Sequence, residues 1–445
     1  VLNEYWSTSQ QEVFRAQYEK QLKAFEYLPQ PKIVDVQLNV ELYPSKRAYE
    51  IEGSYQLVNF STEPITTIHI QQTMGTHVQL SEVTFDREVS LDDKYKAYSY
   101  RIYELVEPLH SGDSINMYFV QRSTPVGFEN NDNSTEIVNN GSFFNNDLLP
   151  TLGYQKAYEL EDEDIRKRFS LGQRIKVAPQ NDMFELKNPN YFHYKTNHII
   201  TNFYAIVSAD YASQTKQLIG IDTVDLEIYY HRPHNYNIDR MLEAMTYSLD
   251  YYSTAFSPYP FEDLRITEIP RYRNFAQAFP GMIVFSESMG FVMDIEDAED
   301  VDMVFFITAH EIAHQWWGVQ LSAANVQGKK LVLETLAQYS ALMVMKQKYS
   351  KGKIDRLLRQ QYEDYKKGIR QQDLVEPSLV EVNDEKHIYY EKGILNMYAL
   401  QQEIGEEKVN LALKNFLRQW RNVELEQNGR YPTSTDLLSH ILAVC

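Results

Sequence analysis

The sequence predicts an α+β chain: an N-terminal antiparallel β-sandwich or saddle, then a small sheet and a mostly helical lobe. Three observations carry that prediction. From Ile33 to about Gln214, short segments alternate apolar and polar residues with a period near two, among them VDVQLNVELY, YEIEGSYQLVNF, TTIHIQQ, YSYRIYELV and SINMYFVQR. Turn-rich breaks separate them, such as YPSK, STEP, HSGD and ENNDNS. From Asp300 onward the period lengthens, and helices are expected over 300–317, 333–349, 352–372, 389–404, 406–421 and 434–444.

In chain order, residues 1–32 form a helical connector, 33–216 the β-domain and 217–445 a second domain. The polar helix STSQQEVFRAQYEKQLKAFEYL is closed by the PQP at 29–31, and either packs on the body or leads in from an upstream part. FYAIV at 203–207 and the adjoining SADY finish the β-layer. VDLEIYYHR is the first strand of the second domain. NIDRMLEAMTYSLDYYSTAF follows with helical spacing and Asn237 at the N-cap. LRITEI then reads as a strand, and GMIVFSE as an edge strand.

A chain of 445 residues suits two or three domains, and 43% hydrophobic with 24% charged residues is globular composition. With 62 acidic against 43 basic residues, the net charge of −19 repels phosphate backbones and argues against nucleic-acid binding. The only cysteine is Cys445, so no internal disulfide forms and a metal must be held by His, Asp or Glu. No stretch of 18 apolar residues exists. The opening Val1 and the closing LLSHILAVC, which stops in mid-helix pattern, read as the ends of a piece of a longer chain.

The chemistry concentrates in His310-Glu311-Ile312-Ala313-His314, inside the run MVFFITAHEIAHQWWG. On a helix, positions i and i+4 share a face, so both imidazoles reach one ion while Glu311 faces a water beside it. Zinc takes tetrahedral nitrogen and oxygen ligands, and a catalytic site keeps one position open. The competing reading is a pair of surface histidines salt-bridged by Glu; apolar neighbours on both sides favour a buried helix instead. A third ligand is offered by Glu334, which opens ETLAQYSALMVM with 19 residues between it and His314. The alternative for Glu334 is a first-turn carboxylate that complements the helix dipole.

HEIAHQWWG followed by a glutamate opening an ExxAxY helix resembles the aminopeptidase N family of gluzincin zinc metallopeptidases. The resemblance covers about 33–445. YYEKGILNMYALQQEIGEEKVNLALKNFL, TSTDLLSHIL, SPYPFEDLRITEIP and FYAIVSADY are each similar to family segments. The opening helix, the PQP and the wording of HEIAHQWWG are closest to peptidase-like domains linked to bacterial ABC-transporter permeases. The resemblance implies a thermolysin-like catalytic domain with one zinc per chain on His310, His314 and Glu334, Glu311 as general base, and Tyr390 as oxyanion donor. It also implies a peptide substrate and a permease segment outside this chain. The implied location is the extracytoplasmic face of a bacterial membrane, with a cytoplasmic one as the alternative.

The chain departs from the family where an exopeptidase grips the substrate amine. The family's GAMEN register falls on FAQAF, and places Gln277, Ala278, Phe279 and Gly281 along the substrate, with Ala278 at the glutamate position. An ammonium in a closed pocket needs a carboxylate. Either another acid substitutes, Glu268 or Glu287, or the protein is not an ordinary aminopeptidase. The spacing to Glu334 is also one residue longer than the family's, an insertion assigned to the loop SAANVQGKK. The loss at Ala278 leaves a second function open, a weak or inactive zinc-containing peptide-binding module coupled to a transporter. His387 is a candidate cleft residue or an exposed helix start, Arg271 and Arg273 are candidate carboxylate partners or a solvated loop, and Asn59, Asn133 and Asn140 begin sequons.

Overall fold

The computed structural model describes residues 6–74, 77–125, 127, 136–160, 162–172, 191–192, 200–220, 223–295, 300–370, 376–421 and 430–445. These fall into two compact units, one up to Ala209 and the other from Asp210 to Cys445.

In the first unit, α1 (Thr8–Leu22) starts at a capping box between Ser7 and Gln10. It is not a free connector: Tyr18 and Leu22 are fully buried, and Glu19 accepts two bonds from Arg166 of α2 (Glu163–Arg168) at 2.7 and 2.9 Å. The strands are β1 (Lys32–Tyr43), β2 (Ala48–Val58), β3 (Ile65–Gln71), β4 (Val78–Phe85), β5 (Val89–Asp92), β6 (Tyr100–Leu109), β7 (Ser114–Ser123), β8 (Ser142–Asn145) and β9 (Thr151–Leu152). One antiparallel sheet has the order β1-β2-β7-β4 and another β5-β6-β3-β9. Inward residues of both, such as Ile51, Tyr55, Ile68, Leu80, Tyr103 and Phe119, form a single core. That is the expected sandwich, produced by period-two alternation that hides one face of each sheet. Two short pairs complete the unit, β10 (Tyr191–Phe192) with β11 (Ile200–Thr201) and β12 (Ala205–Ser208) with β8.

The second unit opens earlier than residue 216, because β13 (Ala212–Ile219) pairs with β14 (Thr223–Tyr230) along its whole length. The sheet continues through β15 (Asp263–Ile269), β17 (Met282–Ser286) and β16 (Ala276–Phe279), in the order β13-β14-β15-β17-β16. The edge strand is therefore β16. GMIVFS, expected at the edge, lies inside, parallel to β15 and antiparallel to β16. Its unbroken apolar run is the mark of a strand with both edges paired and both faces covered.

Helix α3 (Ile238–Ala255) runs between sheet and helices, and its buried stripe includes Met241, Met245, Leu249 and Tyr252. Asn237 occupies the N-cap position but does not cap: its amide donates to the carbonyls of Gly290 at 2.7 Å and Met293 at 2.8 Å. Beyond it stand α4 (Met303–Ala313), α5 (Leu336–Lys348), α6 (Lys351–Arg370), α7 (Gly393–Ile404), α8 (Glu406–Trp420) and α9 (Ser434–Leu442). The two turns that precede α5 and α7, Leu331–Thr335 and His387–Lys392, are π-helical. None of the described helices is long and apolar enough to cross a membrane.

Candidate metal centre and active site

Helix α4 is apolar nearly all round and buried at Val304, Phe305, Phe306, Ala309, Ile312 and Ala313. It starts at Asp302, whose carboxylate accepts from the Phe305 N–H at 2.9 Å. It ends at His314, its C-cap, still in right-handed helical conformation, so His310 and His314 keep the one-turn stagger. Three buried hydrogen bonds fix the helix end: Tyr252 Oη to the Ala309 carbonyl, Trp316 Nε1 to the Ser257 carbonyl and Trp317 Nε1 to Ser340 Oγ, each 2.9 Å.

His310 Nε2 and His314 Nε2 lie 3.1 Å apart, and each is 3.6 Å from Glu334 Oε2. A tetrahedral zinc with bonds of about 2.0–2.1 Å separates its ligand atoms by about 3.4 Å, so this triangle fits one. The ring orientation is set as well: His314 Nδ1 donates to the Trp317 carbonyl at 3.0 Å, which turns Nε2 toward His310 and Glu334. Burial alone would lower the His314 imidazole, but Glu334 and Glu311 outweigh it and raise it to about 9. Glu334 is raised by burial too, yet its bonds to His310 and His314 hold it well below the usual carboxylate range. The pocket thus stabilises positive charge.

Glu311, 7% exposed, is pushed up by burial, against the pull of the two imidazoles. Tyr390 Oη donates to Glu334 Oε2 at 2.9 Å. Burial and the Glu334 charge raise this phenol, so it stays protonated and able to donate. Glu334 and Tyr390 both sit on the π turns, which pack together through a bond of 2.5 Å from Thr335 Oγ1 to the Tyr389 carbonyl. A π turn takes up one residue more than an α turn and redirects its side chains, a feature frequent at functional sites.

The edge strand is pinned to the same helix. Gln315, fully buried, accepts from the Gly281 N–H at 3.0 Å and donates to the Phe279 carbonyl at 2.9 Å. Gly281 closes the β16–β17 turn at φ +69°, where a side chain would be strained. Gln277, Ala278 and Phe279 lie on β16 itself, Ala278 opposite Ile283.

The other sequence candidates fall elsewhere. Glu268 is fully buried, and both of its oxygens are engaged, by the His231 N–H at 2.7 Å and by His234 Nδ1. It is not available to grip a substrate amine. Glu287 Oε1 accepts from the Arg271 N–H at 3.3 Å. Arg271 is exposed and Arg273 half-buried. His387 opens the second π turn, half-buried and stacked on Tyr365. The Asn59 amide is buried, bonded to the Leu109 carbonyl at 2.7 Å and to the Ser61 N–H at 2.8 Å, so that sequon is closed to glycans. Asn133 lies outside the described residues.

Among the described residues, His and Glu ligand atoms converge within 4.8 Å in two places. One is His310, His314 and Glu334; the other is His231, His234 and Glu268. Of the second group, Glu268 alone was a candidate from the sequence, although the His-Arg-Pro-His run at 231–234 carries a signal of its own.

Residues 236–433 match the model of the peptidase family M1 domain. The fold is similar to an M1 zinc metallopeptidase from Deinococcus radiodurans, at TM-score 0.60 and 15% identity, over 95% of this chain and 94% of that one. It is also similar to a glutamate-to-alanine mutant of an M1 zinc metallopeptidase from Deinococcus radiodurans bound to the substrate Tyr-Ser-Ala, at TM-score 0.56 and 14% identity, over 93% and 91% of the two chains. Among curated proteins, none matches the sequence.

Proposed function

We propose that residues 236–433, which match the peptidase family M1 domain, form a zinc metallopeptidase in which His310, His314 and Glu334 hold the zinc, Glu311 is the general base and Tyr390 the oxyanion donor of peptide-bond hydrolysis. The observation that supports this most is the near-tetrahedral triangle of ligand atoms with Tyr390 on its rim. When bound, zinc supplies Lewis-acid polarisation of a carbonyl and acidifies water. Glu311 takes the proton of the attacking water and delivers it to the leaving amine; its burial raises its proton affinity toward that task. Tyr390, held protonated, turns its hydroxyl from Glu334 to the carbonyl oxygen as negative charge develops there. Strand β16 has one edge paired to β17 and the other unpaired among the described strands, and that edge suits an extended peptide backbone.

Ala278 offers a methyl group where an amine-anchoring carboxylate would stand, and Glu268 is sealed by its histidine partners. The peptidase accordingly does not depend on a free N-terminus. The zinc-loaded chain should cleave members of a diverse peptide set, and acetylated peptides should react within about threefold of their free-amine twins. A charge-assisted bond to the amine would instead separate the twins by about tenfold to a hundredfold. Ala278→Glu should introduce that separation. No cleavage by the zinc-loaded protein contradicts the peptidase reading; a strict need for the free amine contradicts the role given to Ala278.

A further inference from the structure

The second cluster lies where three neighbouring parallel strands end. β14, β15 and β17 run side by side, and their carboxyl ends bring together His231 and His234, Glu268, and Glu287. The rim outside parallel strand ends is a general location for ligands. The geometry here is built rather than incidental. The turn His231–His234 is closed by the His234 N–H donating to the His231 carbonyl at 2.7 Å, which aims both imidazoles at Glu268. Their ring centroids are 5.8 Å apart, and the Tyr211 ring covers His231 at 5.3 Å. The Tyr211 hydroxyl donates to the Glu268 backbone carbonyl at 2.6 Å, which fixes the strand end.

Two features of this cluster call for a cation. Glu268 has no exposed surface, and its carboxylate is bonded to a backbone N–H and a histidine but to no lysine or arginine among the described residues. A buried carboxylate whose only adjacent counter-charge would be a histidine is costly. His231 is 13% exposed, yet neither of its ring nitrogens has a hydrogen-bond partner among the described residues. An imidazole with both nitrogens buried and unpaired costs stability unless something takes its lone pair. Its Nδ1 is 3.2 Å from Glu268 Oε1, close to the ligand spacing of a tetrahedral metal. Glu287 Oε2 lies 3.8 Å from His234 Nδ1, within reach as a fourth donor.

We propose that His231, His234 and Glu268, with Glu287 beside them, form a second divalent-metal site, separate from the HExxH centre and of the borderline class that accepts imidazole and carboxylate, zinc foremost. The cation takes the place of the hydrogen between His234 Nδ1 and Glu268 Oε1, the neutral ring then carrying its proton on Nε2. Because the fold supplies these ligands from three strand ends, the site is structural in character: it ties the carboxyl ends of the central sheet together.

Zinc per folded chain, measured by elemental analysis of the full chain purified with zinc, tests this. The wild type should carry two, His231→Gln one and His314→Gln one, and the double variant none. Circular dichroism reports whether each variant folds. If His231→Gln does not fold, Glu268→Gln carries the same expectation, since it keeps an acceptor for the His231 N–H and withdraws only the anion. One zinc in the wild type that His231→Gln leaves in place overturns the proposal. So does a His314→Gln protein that folds and holds no zinc.

Discussion

At the scale of single residues, the proposed catalytic chemistry rests on a few side chains whose surroundings differ. Glu311 and Glu334 are both carboxylates on buried helical backbone, yet burial dominates the first while two imidazoles dominate the second. One is poised to take a proton and the other to stay ionised. Among the described tyrosines, Tyr390 is set apart by its bond to Glu334, where the resemblance in sequence had placed it. Tyr390→Phe should lower kcat about a hundredfold to a thousandfold with KM nearly unchanged, because the bond proposed from Tyr390 to the oxyanion would exist only at the transition state. An equal rise in KM with kcat intact would assign Tyr390 to substrate binding instead. The first pair of histidines was legible because four-residue spacing on one apolar helix is a local signal. The second was not: His234 and Glu268 are 34 residues apart and meet through parallel strand pairing, which a period-two pattern does not encode.

At the scale of elements, the site is placed by contacts between turns. The sequence showed where the helices lie but not that Leu331–Thr335 and His387–Lys392 are π turns, because a single π turn at a helix start is too short for a change of period to register. It also set the sheet edge one strand too early; β16 has only four residues, too few for alternation to register. The close approach of the two π turns has a sequence requirement. At Gly393 an added Cβ would stand 2.6 Å from Thr335 Oγ1 and 2.7 Å from its Cγ2, which only glycine avoids. Gly393→Ala should cost about 1–3 kcal/mol of stability and reduce kcat by displacing Tyr390 from Glu334. Adding Thr335→Ala should recover part of the loss in melting temperature. A Gly393→Ala protein with unchanged stability and kcat would show that the two turns are not coupled in this way.

At the scale of the molecule, each unit has its own core, and the β-sandwich carries a pH dependence of its own. His69, 2% exposed, bonds the Tyr100 hydroxyl at 2.9 Å and Thr67 Oγ1 at 3.0 Å as a neutral ring. Burial lowers it from 6.5 to about 4. Below its ordinary value the unfolded chain takes up a proton that the folded unit refuses, so stability is full above about pH 6.5 and falls as pH drops toward 4. Denaturant titration should show wild type losing about 1–3 kcal/mol between pH 7 and 5 that His69→Gln does not lose; parallel curves for the two would remove His69 from the account. The two-unit plan itself was legible because strand and helix periods occupy separate stretches, whereas the passage between them, at Ala209 rather than after residue 216, depends on β13 choosing β14 as its partner.

The central claim is that Glu311 serves as the proton carrier of a zinc peptidase, and hydrolysis rates of wild type and Glu311→Gln at matched zinc content test it most directly. The amide keeps the shape of the side chain and leaves the ligand triangle alone, so zinc content should be unchanged while kcat falls about a hundredfold to ten-thousandfold. A Glu311→Gln protein that retains its zinc and cleaves peptides at the wild-type rate would contradict the account.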